Sequence, residues 1–145
     1  MMLLFTILFI ALGGSLGAIA RFAIQKFFAS KTSIPGWIPI ALINIAGSLL
    51  IGFSVAWLTG DLKTLKLHHL SPMQQEQEII ALNAIIALLA VGFCGAFTTF
   101  STFSLDNFFL SIDKKGQMLA NMIGTTALAF GAVLLGWHLG QLVVT

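Results

Sequence analysis

The chain has 145 residues, of which seven are basic and five acidic, for a formal net charge of +2. Apolar residues make up 58% of it and the mean hydropathy is +1.01. A soluble domain carries about a quarter charged residues, so this chain could not cover itself with a polar surface; a water-soluble globular protein is excluded, and lipid is its solvent.

A helix crossing a hydrocarbon core of about 30 Å needs roughly 20 mostly apolar residues. Four segments meet that length: 3–28, 37–58, 79–103 and 117–139. They predict an all-α integral membrane protein, one four-helix domain over residues 1–145. The first segment carries Gly13 and Gly17 on one helix face, a spacing that lets helices approach closely in lipid. Its apolar start followed by Ala18-Ile19-Ala20 resembles a signal peptide, but no Lys or Arg precedes the run, so it is expected to be retained as a span.

In the second segment, Trp37 and Trp57 stand about 30 Å apart at 1.5 Å per residue, one at each interface. Pro35 and Pro39 fall before and within its first turn, where a helix tolerates proline. Asn44 lies seven residues inside Trp37, about 10 Å deep, between two isoleucines. Ser48 and Gly52 form another small-residue pair. The polar connector 59–78 follows, with His68 and His69 side by side; adjacent residues do not face one ligand on a helix, and the pair reads as solvated or interfacial. His138, near Trp137, reads the same way. In the fourth segment Asn121 and Thr125 share a face at i,i+4 spacing.

Orientation is weakly specified. Arg21, Lys26, Lys31, Lys114 and Lys115 fall on one side and Lys63 and Lys66 on the other, five against two, or four against two if Arg21 is buried. Both termini outside is the favoured arrangement, by so small a bias that the chain could insert both ways.

Buried polar groups then separate the function classes. Proton-coupled transport uses intramembrane acids; away from the span ends there is no Asp, Glu or Lys, and Arg21 is the single ionisable candidate. A small multidrug-type exporter, which depends on a membrane-embedded carboxylate, is a minor alternative. Cys94 is the only cysteine, so neither an intrachain disulfide nor a CxxC metal site is possible, and no residues are left to carry an enzyme activity. A channel and a non-conducting assembly protein remain. Asn44, Asn121, Thr125, Ser101 and Thr102 could each be interhelical glue; together they could line a narrow polar path.

The third segment ends in GFCGAFTTFSTFSLD (92–106), where five hydroxyls alternate with four phenylalanines inside a charge-free run. Gly92, Gly95 and the Thr98-Thr99 pair weaken a helix, glycine by about 1 kcal/mol, and the run from 79 to 105 exceeds one straight crossing. A break near 95–99 is expected. Breaking a helix in lipid frees carbonyls that protein, water or a cation must satisfy. Beyond the break, Phe100 and Phe103 share a face. An aromatic edge is positive, so ring edges, hydroxyls and an amide can dehydrate a small anion without trapping it as a Lys or Arg would.

The segment GFCGAFTTFSTFS, with GGSLGAIARF (13–22) and NIAGSLLIGF (44–53), closely resembles the signature of the CrcB/Fluc fluoride channel family, in order across the first three spans. The resemblance implies a multi-pass protein of the cell inner membrane that exports fluoride passively from the cytoplasm. It implies an antiparallel, dual-topology dimer with two pores, formed with a second copy or an oppositely inserted paralogue. Phe100 and Phe103 match the family's paired pore rings, Asn44 its second-helix asparagine, and Ser101 and Thr102 the hydroxyls beside the rings. Asn121 and Thr125 match positions of a polar track. Gly95 and Thr98 match the break residues whose carbonyls hold a central, structural sodium ion. Arg21 matches a first-helix arginine with a vestibule or structural role. Two departures stand out: the connector 59–78 is longer than the family's usual second loop, and Ala96-Phe97 replaces a frequent Gly-Leu, adding a ring of unassigned placement.

Overall fold

The computed structural model describes residues 2–30, 34–64 and 71–144. Among these residues all regular structure is helical, and four helical runs are long and apolar enough to cross a membrane: Leu3–Ala29, Trp37–Gly60, Met73–Asp113 and Lys115–Val144. The chain is a multi-pass membrane protein. Lys31, Lys66, His68 and His69 lie outside the described residues, as does the middle of the connector 59–78.

Helix α1 (Met2–Ala29) and helix α2 (Trp37–Thr64) are continuous. The third run begins as α3 (Pro72–Ile86), whose start is fixed by a capping box. Ser71 Oγ accepts from the Gln74 amide at 3.4 Å, Gln74 Oε1 accepts from the Ser71 amide at 3.0 Å, and proline occupies the first turn. The run then widens into a π-helical segment (Ala87–Cys94), makes a single turn, α4 (Gly95–Phe97), and resumes as α5 (Phe100–Asp113). The fourth run starts as α6 (Lys115–Leu119), widens into a second π-helical segment (Ala120–Thr125) and continues as α7 (Thr126–Val144).

Two close helix pairings build the bundle, both through small residues. A Cβ at Gly13 would run into the Leu88 carbonyl and one at Gly17 into the Phe93 carbonyl, while one at Gly92 would sit 2.6 Å from the Ile10 carbonyl. Helix α1 and the π-helical part of the third run are therefore in backbone contact, as the Gly13/Gly17 face led one to expect. Helix α2 meets α7 in the same way, Gly52 against the Val133 carbonyl and Gly136 against that of Leu49. In lipid this close packing replaces the hydrophobic drive that water would supply.

The described core is small. Ile40, Ile43 and Phe97 form a buried cluster, with Phe93 and Phe103 packed against it. Phe97, the unassigned extra ring of the sequence, stacks on Phe93 at 5.5 Å with 14° between the planes. It fills the core beneath the break and does not reach an open surface. Much of the outer face is apolar and exposed, as lipid contact or a partner subunit would require: Leu16, Ile19 and Phe22 on α1, Leu128, Phe130 and Leu135 on α7.

Candidate ion path

Between α4 and α5 two residues leave the helical conformation. Thr98 has φ −75°, ψ 158° and Thr99 has φ −150°, ψ 116°, both extended. In an unbroken α-helix the Thr99 amide would donate to the Gly95 carbonyl and the Thr102 amide to the Thr98 carbonyl. Here both amides are diverted. The Thr99 N–H donates to Asn44 Oδ1 at 2.8 Å, and the Thr102 N–H donates to Thr99 Oγ1 at 3.3 Å, which makes Thr99 the N-cap of α5.

Asn44 completes a two-point clasp, because its Nδ2 also donates to the Thr99 carbonyl at 3.2 Å. A side-chain amide thus takes the place of a neighbouring peptide for a backbone that lipid could not solvate. One Nδ2 hydrogen is used in this way, and an amide nitrogen carries two. The Thr98 carbonyl accepts a long bond, 3.4 Å, from an Arg21 guanidinium nitrogen. Thr98 itself folds back, its N–H and Oγ1 both donating to the Cys94 carbonyl at 3.0 and 2.9 Å. Gly47 on α2 makes room for this turn: a Cβ there would collide with Thr98 Cγ2.

An open cavity of about 330 Å³ lies against the break. It brings Asn44, Gly95, Thr98 and Phe100 together, with Ser48 and Thr99 beside them. The Phe100 ring is 80% exposed, the largest exposure of any described phenylalanine, and lies 6.1 Å from the half-buried Phe103 ring, tilted by 39°. Beyond the rings a second cavity, about 350 Å³, is lined by Thr102, Gln25 and Asp106. Ser101 is exposed, and its hydroxyl pairs with Thr99 Oγ1 at 3.2 Å; the Thr102 hydroxyl accepts from the same oxygen at 3.1 Å. Polar groups therefore lie next to both rings in sequence and line both cavities.

Asn121 and Thr125 are placed differently. They are 1% and 5% exposed and line neither cavity. Thr125 Oγ1 donates to Asn121 Oδ1 at 2.8 Å, and Asn121 Nδ2 donates to Asn107 Oδ1 at 3.1 Å. Sequence reasoning overlooked Asn107 and Asp106. Both lie in α5 beyond the expected end of the span at 103. Asp106 faces the second cavity, and its Oδ2 is buried without a hydrogen-bond partner among the described residues. Among the described residues no three His, Cys, Asp or Glu side chains converge as a metal site.

Residues 8–137 match the family model described as CrcB-like protein, Camphor Resistance (CrcB). The chain belongs to the CrcB family. Its relatives include the "Fluoride-specific ion channel FluC" of Nitrobacter winogradskyi, 36% identical over 138 residues, with 90% of each chain covered. They also include "Fluoride-specific ion channel FluC 2" of Natronomonas pharaonis, 35% identical over 142 residues, covering 96% of this chain and 97% of the relative. "Fluoride-specific ion channel FluC" of Vibrio cholerae is 33% identical over 133 residues, with 90% of each chain covered. The matched region takes in the break, the two rings, Asn44 and both π-helical segments. The relatives are named as ion channels and not as enzymes.

Proposed function

We propose that this CrcB protein is a fluoride-selective channel that lets fluoride leave the cytoplasm passively across the inner membrane. The observation that carries the reading is the diversion of two amides at Thr99 and Thr102, which leaves the Gly95 and Thr98 carbonyls without helical donors beside the exposed Phe100 ring and its half-buried neighbour Phe103. The interruption divides the work between two ions. Its carbonyl side suits a cation; its ring side suits a small anion.

On the anion side, the ring edges of Phe100 and Phe103, the spare Nδ2 hydrogen of Asn44 and the Thr102 hydroxyl form a neutral donor set, joined by Ser101 when its hydroxyl turns from Thr99 to the ion. Such a set replaces water around fluoride with weak, multiple contacts, so the ion can enter and still leave. No lysine lines either cavity at the rings, so nothing there would hold the ion permanently.

On the cation side, the Gly95 and Thr98 carbonyls would hold a structural sodium ion. Hard oxygen donors of this kind suit an alkali cation and not a transition metal. Sodium bound there would supply fixed positive charge and tie subunits together. One chain offers two such carbonyls, fewer than a cation needs, and Gly95 is exposed, so a second, antiparallel subunit is the natural source of the rest. The Arg21 guanidinium at the Thr98 carbonyl adds positive charge from the first helix.

The experiment is fluoride efflux from liposomes holding purified protein, read with a fluoride electrode. Rapid efflux with chloride retained is expected. Properly assembled protein that moves no fluoride would return the chain to a non-conducting assembly role.

A further inference from the structure

The buried bonds of the fourth span run in one direction. Thr125 O–H donates to Asn121 Oδ1 at 2.8 Å, Asn121 N–H donates to Asn107 Oδ1 at 3.1 Å, and Asn107 N–H donates to the Phe103 carbonyl at 2.8 Å. Each amide accepts at its oxygen and donates from its nitrogen, so every bond polarises the next. The chain of bonds starts on α7's side of the fourth span and ends on the backbone of a ring residue. All three side chains are more than nine-tenths buried.

Local structure explains how the ends meet. Asn121 and Thr125 sit within the π-helical segment (Ala120–Thr125), a widened turn of the kind found at functional sites. Asn107 reaches back one turn along α5 to Phe103. The Asn121–Asn107 bond links the two spans, across fourteen residues of sequence.

We infer that Asn107 is a positioning residue for the conduction path: it couples Asn121 and Thr125 to Phe103, so these two act on the ring through a buried strap and not by touching the ion. The inference rests on the reading of Phe103 as a path residue. It separates Asn121 and Thr125 from Asn44 and Thr102, which border open space.

The physical case is one of burial. Asn121 is 1% exposed, its oxygen accepts from Thr125, one Nδ2 hydrogen goes to Asn107, and it borders neither cavity. An ion reaching it would have to leave both cavities and enter packed side chains. Phe103, by contrast, is half-buried against Ile40, Ile43 and Phe97 within α5. To α5's own helical bonds the strap adds a tie from the Phe103 carbonyl to the fourth span.

The test uses the full-length protein with two readouts. The first is fluoride efflux per reconstituted channel; the second is the fluorine NMR resonance of Phe103 in protein labelled with 4-fluorophenylalanine, assigned by its loss in Phe103→Ile. Asn107→Leu and Asn121→Leu keep approximate size and remove the link. Each is expected to shift the Phe103 resonance, to leave that of Phe53 in place and to slow efflux about tenfold, the scale of one lost buried bond. The double variant is expected to be no slower than the slower single one, because both act through one strap.

Asn107→Asp, which keeps the acceptor for Asn121 but loses the donor to the Phe103 carbonyl, is expected to shift the Phe103 resonance as the leucine variants do. A Phe103 resonance unmoved by either leucine variant overturns the inference. So does slow efflux in Asn121→Leu beside a normal rate in Asn107→Leu, which would put Asn121 on the ion path itself. If the unsubstituted protein moves no fluoride, the channel reading fails, while the resonance still decides whether the strap holds the ring.

Discussion

The third and fourth spans both depart from a regular helix and both carry polar side chains to membrane depth, yet they handle the polarity in opposite ways. In the third span the backbone itself opens at Thr98 and Thr99, and side chains from α1 and α2 come in to partner it. In the fourth span the backbone only widens, and its polar side chains pair with one another and with α5. The first arrangement leaves acceptors, an amide hydrogen and the Phe100 ring facing a cavity. The second buries its amides away from both cavities. A polar residue in a membrane helix is thus informative about conduction only when it also borders open space.

The largest effect should come from Asn44, the clasp of the third span. Asn44→Leu leaves the Thr99 N–H without its partner, at about 1–3 kcal/mol for a buried group, and removes the second point of the clasp at the Thr99 carbonyl. A steep fall in detergent melting temperature and loss of fluoride efflux are expected together. A melting temperature that matches the unsubstituted protein would show that the clasp is dispensable. Next in size is Gly47→Val, whose side chain would displace Thr98. Flux should fall strongly, whereas Gly131→Ala in the fourth span, where a Cβ meets nothing within 4 Å, should melt and conduct as before. Equal damage from the two would erase the contrast between the spans.

Sodium offers a sharper cut. If the Gly95 and Thr98 carbonyls hold it, replacing sodium by a large organic cation should lower the stability of the dimer or slow conduction, with no matching effect in a Gly47→Val protein already disturbed at the break. Indifference of the unsubstituted protein to sodium would remove the cation from the account. The smallest effect is expected at the helix cap. Thr99→Val removes the oxygen that accepts from the Thr102 amide, a loss of about 1 kcal/mol. Thr99→Ser keeps that oxygen and should conduct at close to the original rate.

Much of the architecture is legible because lipid imposes it. Charge-free runs of the right length, Trp37 and Trp57 at the interfaces, and Gly13 with Gly17 on one face follow from solvent and packing alone. The rest depends on partners far apart in sequence. Glycine and β-branched threonine mark 95–99 as weak helix, but nothing local says that the Thr99 amide will turn to Asn44, fifty-five residues away. Asn121 and Thr125 read as a polar stripe at i,i+4 spacing; only the position of Asn107, past the expected end of the third span, shows that the stripe is covered. Phe97 was ambiguous for a similar reason, since a ring one turn from the break could face the cavity or the core, and the Phe93 stack places it in the core.

The central claim is that the ring pair beside the broken third span carries fluoride. Its most direct test is fluoride and chloride efflux, measured side by side in liposomes for the unsubstituted protein, Phe100→Ile and Phe103→Ile, with dimer assembly checked for each. The account predicts fast fluoride efflux, retained chloride, and fluoride flux abolished or strongly slowed in both assembled variants. Fluoride flux unchanged in both variants would contradict it and return the rings to ordinary packing.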